Sequence, residues 1–173
     1  MPNWYMITLV GEDQPAIVAQ VTKALFEGKC NLGETSMIRL GGNFTIMMMV
    51  NIEADEKHLQ SLLEPVANKL SLHLHIDEIK AHLHDHRTPD VRISVFSGDR
   101  SGIVAEATTR LTDAGLDILD LESDVGGTPE KPIYIMHIEG IAENGVEEIE
   151  QAVADLKKTG LDINLSAIDT IIG

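Results

Sequence analysis

The chain has 173 residues, an ordinary apolar content of 43%, and a formal charge of −15 from 13 Lys and Arg against 28 Asp and Glu. That length holds one ordinary domain or two small ones. With no Lys/Arg cluster to displace phosphate counterions, the charge argues against direct nucleic-acid binding and against adhesion to an anionic membrane. The single Cys30 excludes an internal disulfide and fits a reducing compartment. No apolar run approaches the ~18 residues of a membrane span. The opening MPNWYMITLV has neither the basic region nor the cleavage site of a signal peptide, so a cytoplasmic protein is expected.

Taken in chain order, residues 4–10 (WYMITLV) alternate as a strand does. A helix is expected from Pro15 to Glu27, because Pro suits a first helical position. Asp13 or Gln14 lies where a cap belongs, and Gly28 supplies a stop. Ile17, Val18, Val21, Leu25 and Phe26 would form its apolar face. ETSMIRL (34–40), Gly41-Gly42 and FTIMMMVNI (44–52) read as a hairpin. Phe44, Ile46, Met48, Val50 and Ile52 share one face of the second of these strands. Met47 and Met49 point the other way, so that face is expected to pack on the other half or on another chain. A second helix (56–70) and a closing strand (72–79) follow.

The same order then repeats. Aligned without gaps from Ile7 onto Ile93, the turn DQPAIVA (13–19) falls on DRSGIVA (99–105), Leu25 on Leu111, Asn31 on Asp117, and Leu32 on Ile118. The second copy has a strand at 91–96 and a helix capped by Ser101, ended by Gly115 and facing inward through Ile103, Val104, Ala107 and Leu111. Strands at 119–125 and 133–140 flank a GGTPEKP loop, and a helix at 146–158 and a strand at 161–171 close it. Each copy thus reads βαββαβ, the ferredoxin-like plan. The fold class is α+β with two tandem units, 1–86 and 87–173, joined near HDHRTPD (84–90).

The Asp turn joins the first strand to the first helix. A helix N-terminus offers unpaired N–H groups and partial positive charge to a carboxylate, while Asp13 offers an acceptor to an ammonium. Together these suit a zwitterion such as a free amino acid. Asn31, opening the second strand, is expected at the same edge of the sheet. A plain capping role for Asp13 and Asp99 fits the local residues as well.

The tandem pattern of strand, Asp turn, I-V-A helix and a second strand opened by Asn or Asp resembles the ACT domain family over nearly the whole chain. Through GEDQPAIVAQV and GKCNLGETSMIRLGGNFTIMMMV, within residues 7–50, the first copy is similar in particular to the glycine cleavage system transcriptional repressor group of tandem ACT proteins. The resemblance implies amino-acid-binding regulatory modules, with ligand held between two domains. Its matching positions are Gly11, Asp13, Gln14, Pro15, Ala16, Asn31 and Leu32, and in the second copy Ser97, Asp99, Arg100, Gly102, Asp117 and Ile118. The family often has Gly where Ala16 stands and Asn where Asp117 stands. Two acids, Asp99 and Asp117, would repel a ligand carboxylate, which makes the first copy the better site.

Five of the seven His lie between residues 73 and 86. His73 and His75 fit a solvated strand face. His82, His84 and His86 could chelate a metal, but no Cys or HExxH framework supports them. No catalytic motif and no cofactor motif is present. The expectation is a non-catalytic homodimer that binds a small amino acid, with glycine implied by the resemblance, and touches a DNA-binding transcription regulator. A detached regulatory subunit of a metabolic enzyme and a metal-binding protein are the alternatives.

Overall fold

A computed structural model describes residues 3–80, 87–98 and 101–168. The chain divides into two units, Met1–His84 and Asp85–Gly173. In the first, β1 (Asn3–Glu12), α1 (Ile17–Glu27), β2 (Asn31–Leu40), β3 (Asn43–Ile52), α2 (Glu56–Lys69) and β4 (His73–Ile79) follow in order. In the second come β5 (Val91–Gly98), α3 (Ile103–Asp113), β6 (Leu116–Thr128), β7 (Lys131–Ala142), α4 (Val146–Lys158) and β8 (Asp162–Ala167). Each unit is a four-stranded antiparallel sheet, ordered β2-β3-β1-β4 and β6-β7-β5-β8. The βαββαβ plan is therefore present twice.

The helices cover one face of each sheet because one stripe of each strand is apolar. Tyr5, Ile7 and Leu9 of β1 and Phe44, Ile46, Met48, Val50 and Ile52 of β3 are buried with Ile17, Val21 and Leu25 of α1 and Leu59, Leu63 and Ala67 of α2. Val91, Ile93 and Val95 of β5 do the same with Met136, Ile138, Ile103, Ala107, Leu111 and Ile149. Each large side chain so buried stabilises its unit by about 1.5–3 kcal/mol against exposure. The β3 alternation read from sequence holds on both faces. On the α1 stripe, positions 17, 21 and 25 face inward. Val18 is 37% exposed and Phe26 79%, because both fall on one side of that stripe, Phe26 farther from it. Val104 of α3 leaves the core likewise, at 37% exposed.

The edge strands are longer than their hydrophobic runs. β2 begins at Asn31, and all ten of its residues are exposed, since it lies beyond the reach of the helices. β6 and β7 extend through most of the expected 126–132 loop and leave a tight turn after Thr128. β8 ends at Ala167, and residues 169–173 lie outside the described set. No helix among the described residues is long and apolar enough to cross a membrane.

Candidate functional site

The Asp turn is built by three elements. Asp13 leaves β1 with its N–H donating to the Gly42 carbonyl of the β2–β3 turn, 3.0 Å away. Gln14 is tied down instead of aimed outward: its Nε2 donates to the Leu70 carbonyl at the end of α2 (2.7 Å). Neither caps α1. The helix starts at Ile17, two residues later than Pro15 suggested, from an Ala16 held at φ 67°, ψ 15°. This left-handed conformation turns the chain into the helix without any side-chain cap among the described residues. The N–H groups of the first turn accordingly lack a side-chain acceptor, which suits them to an external anion. Unit 2 uses the same device. α3 follows Gly102 at φ 88°, again uncapped by a side chain, so Ser101 does not serve as its cap. The left-handed residue before the helix, and not a capping oxygen, is what the described parts of the two near-copies share.

Arg39 is the neighbour that sequence reading missed. It projects from the edge strand on the helix side, and its Nε lies 3.2 Å from Asp13 Oδ2. The other carboxylate oxygen, Oδ1, is buried and has no hydrogen-bond partner among the described residues. An acceptor in that state is costly unless a donor reaches it. Asp13, Gln14, Ala16, Ile17, Val18, Ala19, Met37, Arg39 and Phe44 line a shallow cavity of about 290 Å³. Within it stand an acceptor for an ammonium, and a guanidinium and a helix N-terminus for a carboxylate. Pro15 is exposed beside it. Gly11 acts on packing: a Cβ there would lie 2.8 Å from the Leu72 side chain.

In unit 2, Ser97 Oγ donates to the Gly98 carbonyl (3.1 Å), and Asp99 and Arg100 lie outside the described residues. Position for position, Phe44 pairs with Arg39 in unit 1, and Tyr134 pairs with Val125 in unit 2. Among the described residues, the strand position that gives the first turn its arginine holds a valine in unit 2.

Asn31 does not share an edge with Asp13. β1 and β2 both pair antiparallel with β3, so they run parallel, and Asn31 sits opposite Asn51 where β1 begins. Asp13 follows Glu12, which pairs with Asn43 opposite Leu40. Nine residues of strand, roughly 30 Å, separate the two ends. Leu32 is exposed at the Asn31 end. There Gly28, Lys29, Asn31, Asn51, Ile52, Glu53, Ala54 and His58 line a cavity of about 650 Å³.

At the matching end of unit 2, Asp117 is not an uncompensated acid. Arg87 Nη1 lies 2.5 Å from Asp117 Oδ2, and its Nη2 contacts Glu143. Ile118 packs partly into the core. Of the histidines, His73 and His75 are exposed as expected, and His75 contacts Asp77 (3.1 Å). His82, His84 and His86 lie outside the described residues. No group of three His, Cys, Asp or Glu arranged for a metal occurs among the described residues. Cys30 is half-buried, and burial pushes its thiol pKa up.

The ACT domain profile matches residues 4–77. A UPF0237 protein of Lactococcus lactis is 35% identical over 72 residues, covering 41% of this chain and 83% of that protein. A UPF0237 protein of Methanococcus maripaludis is 29% identical over 85 residues, 47% of this chain and 94% of the relative. Among solved structures, an uncharacterised protein of Galdieria sulphuraria superposes with a TM-score of 0.77 at 23% identity, over 98% of this chain and all of that one. A candidate glycine cleavage system transcriptional repressor superposes with a TM-score of 0.67 at 18% identity, over 98% and 99% of the two chains. These two share the fold along both units. With the repeated βαββαβ sheets, the matched profile and the UPF0237 relatives together, the chain belongs to the ACT domain family and carries that domain's fold twice.

Proposed function

We propose that this protein is a non-catalytic sensor that binds a small amino acid, glycine first, at the Asp13 turn. The observation that carries the reading is the pairing of Asp13 with Arg39 at 3.2 Å, at the mouth of an uncapped helix. A zwitterion's ammonium would go to Asp13, and its carboxylate to Arg39 and the N–H groups of α1. Unit 1 is the better site because Val125 replaces the arginine in unit 2.

The roughly 30 Å between Asp13 and Asn31 means that one unit alone cannot close both ends around a ligand. A second unit aligning an edge strand antiparallel to β2 would bring an Asn31-type end to the Asp13 turn. The fully exposed β2 is available for such pairing, which makes a homodimer the expected assembly. Binding would favour one arrangement of units by ~1–3 kcal/mol, enough for regulation. The output partner, by analogy with the candidate repressor of the same fold, is a DNA-binding transcription regulator in the cytoplasm. The charge of −15 suits contact through protein and not through DNA.

A thermal-shift screen against the twenty amino acids tests this. A ligand at a hundred times its dissociation constant adds ~2.7 kcal/mol of stability. Asp13→Ala and Arg39→Val should each remove the shift. Flat curves at millimolar concentration, or a shift that survives both substitutions, overturn the reading. An enzyme in place of a regulator among co-purifying proteins would replace the transcriptional output.

A further inference from the structure

The two units differ at the end of the sheet far from the Asp turns. Asn31 pairs with Asn51 in unit 1 and Asp117 with Ile141 in unit 2. Two residues beyond those partners stand Glu53 and Glu143. In unit 2 this pair of positions, Asp117 and Glu143, is bridged by the guanidinium of Arg87. In unit 1 the corresponding pair, Asn31 and Glu53, lines the 650 Å³ cavity. In sequence, the ungapped repeat aligns Met1 with Arg87; among the described residues, the cation that lines the unit 1 cavity is Lys29.

Two further exchanges shape the cavity. Asn144 of unit 2 packs so closely on Gly115 that a Cβ at that glycine would collide with it. The matching positions in unit 1 hold Ala54 and Lys29. The shorter Ala54 opens space, and Lys29 brings a cation to the rim. Lys29 holds φ 58° where unit 2 has Gly115 at φ 95°. A lysine at a helix C-terminal position that favours glycine carries a conformational cost.

We propose that this cavity binds a guanidino acid, of which L-arginine is the simplest example. The ligand's guanidinium would lie between the Glu53 carboxylate and the Asn31 side-chain oxygen, as Arg87 lies between Asp117 and Glu143. Its carboxylate would meet Lys29. Glu53, Lys29 and His58 are the titratable groups lining the cavity. One carboxylate and one ammonium among them favour a zwitterion over a bare cation. Within one unit this site shares only Asn31 with the Asp13 reading, and Asp13→Ala tells the two apart.

Titration calorimetry of the full-length protein tests it with four probes: L-arginine, agmatine (no carboxylate), citrulline (no charge on the side chain) and N-acetyl-arginine amide, which imitates an arginine within a partner protein. L-arginine should bind, citrulline should not, and agmatine should bind at least tenfold more weakly than arginine. Glu53→Gln should weaken arginine at least tenfold, whereas Asp13→Ala should leave it unchanged. Lys29→Gly should raise the melting temperature, since it relieves the left-handed strain, and should erase the preference for arginine over agmatine. Equal binding of citrulline and arginine overturns the proposal, as does arginine binding that survives Glu53→Gln or is lost in Asp13→Ala. Tighter binding of the acetylated amide than of arginine would reassign the cavity to a partner's side chain and overturn the free-ligand assignment.

Discussion

Two units of one chain fold to the same plan yet place different residues at the middle of the uncovered sheet face. In unit 1 Met6 pairs with Met49 across β1 and β3; in unit 2 the same register pairs Arg92 with Glu139. The arginine donates from Nε and Nη2 to one glutamate oxygen, at 2.7 and 2.5 Å. One step along, Thr8 pairs with Met47 in unit 1, while Ser94 Oγ lies 3.0 Å from His137 Nδ1 in unit 2. Ile38 and Leu40 continue the apolar face of unit 1 at 61% and 72% exposure. Trp4 lies across Gly33, where a Cβ would come within 2.9 Å of the ring. The fold is therefore indifferent to the chemistry of this face, because the helix-covered face alone supplies the core. What differs between the units is what each can meet.

The largest expected effect comes from forcing one unit's residue on the other. Val50 is fully buried in β3, but its counterpart is Gly140, where a Cβ would overlap the Asp117 backbone carbonyl. β6 has moved in on β7 at that point, next to the register shift between Ile118 and Asp120. Gly140→Val should cost more than about 3 kcal/mol, the range of overpacking plus backbone displacement. Unit 1 should keep its own transition, so calorimetry should resolve two events where they separate. A single unchanged transition would mean that β6 is free to give way.

A smaller, paired effect tests the shared turn. Ala16 and Gly102 hold the same left-handed position, and a Cβ at Gly102 meets nothing within 4 Å. The two substitutions thus read conformation alone. Ala16→Gly should stabilise unit 1 by up to ~1 kcal/mol and Gly102→Ala should destabilise unit 2 by about as much. Denaturant midpoints with unchanged slopes would show it. Equal, opposite shifts confirm one geometry; a loss in both would show that the Ala16 methyl makes a contact worth more than the strain.

These particulars also mark what could be read from residues alone. The DQPAIVA/DRSGIVA repeat and the alternation from Phe44 to Ile52 sufficed for the fold, since period and order are local properties. The start of α1 was misplaced because Pro15 and Asp13 are good local signals that the left-handed Ala16 overrides. Arg39 was invisible for a different reason. Its approach to Asp13 depends on the register between β2 and β3 and on the Gly42 turn, both long-range facts. The distance between Asp13 and Asn31 was hidden likewise, because only the strand order shows that β1 and β2 run parallel. Ala16 and Asp117 did stand out from the family pattern: Ala16 takes the left-handed conformation that Gly102 takes in unit 2, and Asp117 pairs with Arg87.

The smallest expected effect bears on the arginine of unit 2. Arg87, Asp117 and Glu143 have side chains 42%, 45% and 51% exposed, so solvent screens their attraction and ordering the long side chains opposes it. Arg87→Met, which installs the residue aligned with it in unit 1, should cost less than about 1 kcal/mol, and the difference should shrink at high salt. The bridge would then be an occupant of its cleft and not a support of the fold. The same variant should leave two acids facing each other's charge, and free arginine should now bind in unit 2 as well as in unit 1. A loss well above 2 kcal/mol would instead make Arg87 a structural strut. Its cleft would then be no counterpart of the cavity around Glu53.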